Sequence, residues 1–468
     1  MKLIPTLIYI SLLIIGINTN FLRYLQFSTN SCSYTDYKAT STDTTLADQT
    51  FSNSNADESV VYITTTGISI SESTLTKESG DSSNTENSEF CGINAAILVQ
   101  GGKVTITNGQ INTKAKGANA LCVTNNGEAT ISGTKITSTG QSSARGLHAT
   151  YGGKITASNV EVSSTGGSCA TLATDRGEGT VSCIGCTLST EGAGSPLIYS
   201  TGQITVSSTS GTSNGAQAVV VEGKNTATVK DNSELKCKGI GNRNGGDVDK
   251  CGVMLYQSMS GDADSGTSTF NCQNSKIEIL SESSVYSSAP MFFVTNTDAI
   301  INLDRCDLIY GSNKFLSAAG TSEWGSSGSN GGVVTLNLKN QNIVGNFVVD
   351  GNSGLTINLE SSTITGIING EKTAAKIEII LDSSSSIELT GNSYYTSLTN
   401  RKEGGGNINI GSYEWEQVEE KEISRPSGGQ GGPDGPGGSG ERKNNENNES
   451  KSNYVKISFL LLILFLLL

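Results

Sequence analysis

The stretch GLHATYGGKITASNVEVSS, residues 146–164, contains the pattern from which the fold of this chain is predicted. An apolar pair is followed by a turn at Gly153, an alternating segment, a second turn at Asn159 and another alternating segment. Alternation with a period of two is typical of β-strands with one buried face. Glycine and asparagine tolerate left-handed backbone angles, so the stretch predicts short strands separated by tight turns.

Similar units recur along the chain at intervals of 21 to 26 residues. Their anchor glycines are Gly102, Gly127, Gly153, Gly177, Gly202 and Gly223. Several strands in a unit of this length are typical of one coil of a parallel β-helix, which buries its apolar side chains by stacking on its neighbours. We therefore expect an all-β parallel β-helix (solenoid) of roughly ten or more coils.

Alignment of the units predicts which apolar side chains stack inside the solenoid. The first expected ladder contains Val104, Ala129, Ile155 and Ile204; the second contains Ile106, Ile131, Ala157, Val181 and Val206; the third contains Ile111, Ile136, Val162 and Leu188. The residues after the anchor glycines predict an ion ladder on the outside, formed by Lys103, Glu128, Lys154, Glu178, Gln203 and Lys224. These ladders give strand support and register rather than a ligand site.

Composition and chain ends suggest an exported protein. The formal net charge of −13 provides no basic stripe, which argues against a nucleic-acid partner. Residues 1–20 resemble a signal peptide, and 21–90 form a Ser/Thr-rich N-terminal segment and cap before the predicted β-helix at 91–415. A Gly/Pro/Asn-rich stalk follows at 416–453, and the hydrophobic tail at 454–468 indicates either a GPI signal or a tail anchor. Asn448 is a candidate for lipid attachment, with Ser450 as the alternative.

Ten cysteines in an exported chain favour disulfides. Cys237 and Cys251 bracket a Gly-rich insertion and are the predicted pair, while a link between Cys32 and Cys91 would tie down the cap. Cys183 and Cys186 form one CxxC motif, and zinc binding normally needs a second.

Over residues 92–400 the repeated units resemble right-handed parallel β-helix surface proteins of the pectin-lyase-like superfamily, including uncharacterised microbial surface proteins. The resemblance rests on the coil period and the strand-turn pattern. It implies the right-handed form of the solenoid and does not select an activity, because the superfamily includes lyases, hydrolases, adhesins and phage spikes.

Two catalytic alternatives follow from that resemblance. Hydrolases of this fold carry several elements, of which only Asn296-Thr297-Asp298 is present here. Its lyases use calcium and a basic residue, and the insertion at 237–272 contains four aspartates that could hold calcium, the one cofactor that the sequence suggests. The four are Asp247, Asp249, Asp262 and Asp264.

A lateral cluster is the candidate ligand-binding surface. It contains His148, Tyr151, Asp175, Arg176 and Glu222, which fall at similar points of nearby coils. Such a row could hold a sugar or consist of turn charges that satisfy one another. His148, the one histidine of the chain, takes the place of Cys122 in the previous coil and Ala173 in the next, so we expect an outward-facing strand residue.

The function that these features favour is that of a secreted, surface-tethered protein, adhesin-like or carbohydrate-binding, without catalysis. Its partners would be cell-surface or matrix glycans or proteins, and the membrane through its C-terminal anchor. The alternative is a polysaccharide lyase or another carbohydrate-active enzyme that uses the insertion at 237–272. A minor alternative is an ice- or crystalline-surface-binding protein, because two columns of Thr and Ser hydroxyls face outward, from Thr105 and Thr107 to Thr205 and Ser207.

Overall fold

Each of the first ten coils described contributes one strand to each of three parallel sheets, and the strands of each sheet pair with their counterparts in adjoining coils. The fold is that of a computed structural model, which describes residues 45–240 and 250–424. Sheet 1 contains fourteen strands, so the predicted all-β solenoid of ten or more coils is confirmed.

The strands of sheet 1 are β1 (Thr45–Ala47), β4 (Ile68–Ser71), β7 (Lys103–Thr107), β10 (Glu128–Ser132), β13 (Lys154–Ser158), β16 (Thr180–Ile184), β19 (Gln203–Ser207), β22 (Thr226–Lys230), β25 (Thr267–Gln273), β28 (Asp298–Asp304), β31 (Val333–Lys339), β34 (Gly354–Glu360), β36 (Lys376–Leu381) and β39 (Ser397–Asn400). Those of sheet 2 are β2 (Thr50–Asn53), β5 (Thr74–Lys77), β8 (Gln110–Thr113), β11 (Lys135–Ser138), β14 (Glu161–Ser164), β17 (Thr187–Thr190), β20 (Ser210–Ser213), β23 (Glu234–Cys237), β26 (Lys276–Ile279) and β29 (Asp307–Ile309).

The strands of sheet 3 are β3 (Val61–Ile63), β6 (Ile97–Gln100), β9 (Leu121–Thr124), β12 (Leu147–Ala149), β15 (Leu172–Thr174), β18 (Ile198–Ser200), β21 (Val219–Glu222), β24 (Val253–Tyr256), β27 (Phe292–Thr295), β30 (Lys314–Ala318) and β33 (Asn346–Val349). In the last coils a fourth sheet of β32 (Asn342–Val344), β35 (Thr363–Gly366), β37 (Ser386–Leu389) and β40 (Ile408–Asn409) follows sheet 1 in chain order, and β38 (Ser393–Tyr395) pairs with β41 (Trp415–Gln417). One helix, α1 (Thr85–Cys91), precedes β6.

Alternation along each strand places apolar side chains in the interior. The ladder of Ile111, Ile136, Val162 and Leu188 is confirmed by the pairing of β8, β11, β14 and β17. The other two ladders are confirmed except at β16, where Val181 pairs with Ile155 and Ile204. Val181 therefore belongs to the first ladder, and Cys183 takes its place in the second.

The error at β16 comes from the choice of anchor glycine. The sequence Gly177-Glu178 imitates Gly127-Glu128, but the connection from β15 to β16 is one residue longer than that from β12 to β13, and Gly179 is the true equivalent. The ion ladder changes accordingly. Lys103 pairs with Glu128 at 3.0 Å and Lys154 lies beside Glu128, but Thr180 comes next. Glu178 instead pairs with Lys224 at 2.7 Å, and Lys224 is not in the ladder either, because Thr226 lies beside Gln203 in register.

The corrected anchor glycines are required by close contact between coils. A Cβ on Gly153 would overlap the carbonyl oxygen of Val123, and one on Gly179 would overlap that of Ala149. No larger residue fits here without moving one backbone away from another. This contact explains why a glycine recurs before β7, β10, β13, β16 and β19. Before β22 the equivalent residue is Asn225, so the predicted anchor Gly223 lies two residues too early.

Replacing Gly153 with alanine is therefore expected to destabilise the solenoid by about 1–3 kcal/mol, the usual cost of overpacking. Gly406 is the matched control, because a Cβ there meets no atom within 4 Å. Denaturant unfolding of both variants checks the prediction, and equal midpoints would show that the coils are not packed as described.

The solenoid extends beyond the predicted limits at both ends. Strands β1 to β5 already belong to the first three sheets, so residues from Thr45 on form coils rather than a separate cap. At the other end β41 ends at Gln417, and the N–H of Lys421 donates to Ala375 O at 2.8 Å. Residues 418–424, predicted as the start of the stalk, therefore pack back on the coils.

The predicted disulfide between Cys237 and Cys251 is wrong. Both side chains are buried, but Cys237 packs in the main core whereas Cys251 belongs to a separate apolar cluster with Val220 and Met254. The described disulfides are Cys183–Cys186 and Cys272–Cys306. Cys91 is also disulfide-bonded, and Cys32, its predicted partner, lies outside the described residues.

Candidate functional site

The candidate site lies on the outer face of sheet 3. His148 is the central residue of β12 and pairs in register with Cys122 and Ala173, as predicted. Leu147 and Ala149 on either side belong to the core, so the imidazole points away from it. The side chain is nevertheless 0% exposed, because α1 lies over this part of the sheet and accepts a hydrogen bond from it.

Helix α1 is short and clearly delimited. The side chain of Asn84 caps its first turn by accepting from the N–H of Glu86, and Gly92 ends it in the left-handed conformation. The last carbonyls of a helix have no partner within the helix. Here Glu89 O accepts from the imidazole of His148 at 2.7 Å, and Phe90 O accepts from Thr150 Oγ1 at 2.8 Å. Sheet 3 thus supplies the partners that the end of α1 needs.

These contacts define the tautomer of His148. A carbonyl oxygen can only accept, so Nε2 carries the proton that Glu89 O receives. Nδ1 is then free to accept, and the guanidinium of Arg145 lies 3.2 Å from it. A second proton on Nδ1 would face that guanidinium directly. Burial and the Arg145 charge therefore hold the pKa of His148 well below its ordinary value.

Arg145 forms the central ion pair of the cluster. Its Nη1 donates to Asp175 Oδ2 at 2.6 Å, and its guanidinium lies over the ring of Tyr199, 5.5 Å from the centroid. Asp175 also accepts from the N–H of Arg176 at 2.8 Å. Burial raises the pKa of Asp175 to about 7, while the Arg145 charge acts in the opposite direction.

Glu222 lies at the centre of a second hydrogen-bonded group on the same face. The hydroxyls of Tyr199 and Tyr256 donate to its Oε2 at 2.6 and 2.8 Å, and Ser258 donates to its other oxygen. Burial raises the pKa of Glu222 despite these donors. We call the buried residues His148, Arg145, Asp175 and Glu222, together with the half-buried Tyr199 and Tyr256 that donate to Glu222, the buried row.

Arg176 and Tyr151 complete the predicted cluster at its edge. The Arg176 guanidinium stacks on the ring of Phe90 in α1, 3.7 Å from the centroid, and pairs with Asp262 at 2.8 Å. Tyr151 packs beside Phe90 and is half-buried. The loop around Asp262 and the helix are thus both fastened to sheet 3 through Arg176.

The structure therefore brings the predicted residues together, with His148, Asp175 and Arg176 in one group and Glu222 in the next. Arg145, Tyr199 and Tyr256 join the groups and were missed by sequence reasoning. Tyr199 had a usable signal, because register places it beside Ala173 and hence in the His148 column. Arg145 had none, since it precedes β12 and reaches the column only through its long side chain.

The predicted calcium site is not assembled by the part of the chain that is described. Asp262 pairs with Arg176, whereas Asp264 pairs with Lys224 at 3.0 Å, so the two carboxylates serve different cations. Asp247 and Asp249 lie outside the described residues. Within residues 45–240 and 250–424, no group of three or more His, Cys, Asp or Glu side chains could hold a metal ion.

The outward hydroxyl columns of sheet 1 are only partly regular. Thr105, Thr130 and Thr156 are in register, and Ser182 follows them in place of the expected Thr180. In the second column Ile184, 53% exposed, interrupts the series between Ser158 and Ser207. An exposed isoleucine breaks the array on which the ice-binding alternative rests.

Replacing His148 with glutamine tests the buried row by its pH dependence. Because the folded-state pKa of His148 is lowered, the unfolded chain binds one more proton below pH 6.5, and the histidine's contribution to stability is lost as the pH falls. The pKa of Asp175 is raised to about 7, so the contribution of Asp175 to stability grows as the pH falls from about 7 toward its ordinary pKa. The wild type must therefore be compared with the H148Q variant, so that the contribution of Asp175 cancels. Relative to H148Q, the free energy of unfolding of the wild type should fall by about 1.4 kcal/mol per pH unit below 6.5. Parallel pH profiles of the two proteins would contradict the burial of His148.

The predicted signal segment, the lipid-attachment residue Asn448 and the hydrophobic tail lie outside the described residues. No helix within residues 45–240 and 250–424 is long and apolar enough to cross a membrane. No protein-family model, curated protein or solved structure matches the chain. The likeness to pectin-lyase-like proteins is therefore supported only in the parallel β-helix fold.

Proposed function

We propose that this protein is exported, tethered to the cell surface by its C-terminal tail, and binds glycans or proteins through the outer faces of its solenoid without transforming them. One observation carries this proposal: the three acid–base candidates of the site are buried, and each already has hydrogen-bond partners within the protein. His148, Asp175 and Glu222 are each at most 2% exposed. Acid–base chemistry requires such groups to reach the substrate directly or through one water.

Side chains that a ligand can contact lie on the exposed surface of the solenoid rather than in the buried row. The outward columns of sheet 1 carry hydroxyl, amide and charged side chains in rows about 4.8 Å apart. A rigid array of this kind can contact an extended ligand at many points without loss of conformational entropy in the protein. This supports a binding role in which one extended ligand contacts many coils of the solenoid.

The binding role is tested with full-length protein solubilised from membranes in mild detergent. It is applied to an array of glycans and matrix proteins with and without calcium, and uronate-containing polymers are followed by the ultraviolet absorbance of unsaturated products. We expect saturable binding with no growth of that absorbance. Sustained product formation would replace the proposal with the lyase alternative, and a complete lack of binding would refute it.

Tethering is tested separately on intact cells. A phospholipase specific for glycolipid anchors should release the protein into the medium, while a version with residues 454–468 deleted should be secreted without treatment. Retention on the cell after phospholipase treatment would instead favour a tail anchor.

A further inference from the structure

A groove lies on the outer face of sheet 1, whereas the buried row lies on sheet 3. It has a volume of about 720 Å³ and crosses the coils that contain β25, β28, β31, β34 and β36. The strands β25, β28, β31 and β34 have seven residues each, whereas β7, β10 and β13 have five. The sheet is thus wider here than in the earlier coils.

An asparagine ladder runs along the floor of this groove. Asn271, Asn302, Asn337 and Asn358 are in register on four successive strands. The carboxamide nitrogens of Asn302, Asn337 and Asn358 each donate to the oxygen of the preceding asparagine, at 2.8, 2.7 and 2.8 Å in order. That of Asn271 donates to Thr228 Oγ1 at 3.1 Å. In the earlier coils the same column contains Thr105, Thr130, Thr156, Ser182, Thr205 and Thr228.

The ladder leaves hydrogen-bonding capacity directed at the groove. A carboxamide has two N–H donors and two acceptor lone pairs. Asn302 and Asn337 each use one donor and one lone pair within the ladder, so one of each remains on every rung. The four side chains are half-buried, and the remaining groups can reach a ligand. Paired donors and acceptors at regular intervals match the hydroxyl groups of a sugar chain.

The charges around the ladder do not favour an anion. Three carboxylates and two cations line the groove: Asp304, Glu360, Asp382, Lys339 and Arg401. Lys339 is paired with Glu360 at 2.8 Å, so its charge is already compensated. An anionic polymer needs a surplus of cations, and a neutral one does not.

We propose that this groove binds a neutral polysaccharide, laid along the solenoid axis so that successive sugars meet successive rungs of the asparagine ladder. This proposal rests on the proposed binding function and names its site and its class of ligand. The rod supplies a rigid floor, and the amides supply both donors and acceptors to sugar hydroxyls. Arg401, which directly follows β39, also lines the groove.

The experiment uses the full-length protein and measures binding to laminarin, mannan, cellohexaose and chitohexaose, with polygalacturonate as the anionic probe. The double variant Asn302→Thr, Asn337→Thr converts the ladder into the hydroxyl column of the earlier coils. We expect binding of at least one neutral glycan, weakened at least about tenfold by the double variant, and weaker binding of polygalacturonate than of that neutral glycan.

Two further variants keep the outcome interpretable. Val344→Ala alters an exposed side chain on β32, outside sheet 1 and outside the groove, and should leave affinity unchanged. Arg401→Ala removes an exposed donor at the groove's edge without touching the ladder, and should weaken binding severalfold even if the double variant fails to fold.

Binding that none of the groove variants changes would overturn the groove as the binding site and leave the proposed function standing. Failure to bind any of the four neutral glycans would overturn the ligand class, whereas loss of all binding on the wider array would refute the proposed function itself.

Discussion

Replacing Arg145 with methionine is expected to lower the free energy of unfolding by about 3–5 kcal/mol. The guanidinium and its partner Asp175 are 8% and 3% exposed in their side chains, so the substitution leaves a carboxylate without its cation in a buried place. It also removes the donor to His148 and the cation over Tyr199. The effect should be seen as a lower denaturant midpoint in equilibrium unfolding of the full-length protein.

A double-mutant cycle separates the ion pair from general damage. Asp175→Asn alone should also destabilise, because it strands the Arg145 charge. The double variant Arg145→Met, Asp175→Asn should cost clearly less than the sum of the two single changes, since it strands neither charge. The matched control is Lys103→Ala at the exposed pair with Glu128, where less than about 1 kcal/mol is expected. Equal effects at the two ion pairs would contradict the burial of the row.

Replacing Phe292 with alanine is expected to cost about 3–5 kcal/mol. Phe270, Phe292, Phe315 and Phe347 stack through the interior of the later coils, with ring centroids 5.8, 5.4 and 5.2 Å apart. Each ring is at most 1% exposed. Removal of the second ring leaves a cavity between its neighbours and ends two aromatic contacts at once.

Val344→Ala is the control for this prediction, because Val344 is 63% exposed in a neighbouring coil. It should change the unfolding midpoint by less than about 0.5 kcal/mol. Because solenoid coils unfold in neighbouring groups, hydrogen exchange should show the loss of protection around Phe292 concentrated in the adjacent coils. Uniform loss of protection over all coils would show that the stack does not act locally.

The fold was predictable from the sequence because each coil repeats the same physical requirement. In the coils from β7 to β19 one glycine avoids a clash with the coil before it, and alternating apolar residues fill the interior. The prediction slipped by two residues where Gly177-Glu178 resembled a true anchor. Only the pairing of β16 with its neighbours reveals that Gly179 fills that position.

Which residues of the candidate site lie close together could be predicted from the sequence, but their burial under α1 could not. Register gave the place of His148 between Cys122 and Ala173, but nothing in the repeat shows that α1 folds back over the column. That cover depends on the pairing of Glu89 O with His148 and of Phe90 O with Thr150, contacts between residues about sixty positions apart. The asparagine ladder was visible in the sequence only after the later strands had been aligned, since their spacing is looser than that of the earlier units.

The pH titration of the His148 imidazole by NMR tests the central claim, that the row on sheet 3 is buried structure rather than an open site. Because the chain has one histidine, ¹³C labelling of histidine gives one set of imidazole ring signals, which needs no assignment to a residue. We predict the neutral Nε2–H tautomer, with no titration as the pH is lowered from 7.5 to well below 6.5 in the folded protein. A midpoint near the ordinary histidine pKa would show that the imidazole is open to solvent and would contradict the account.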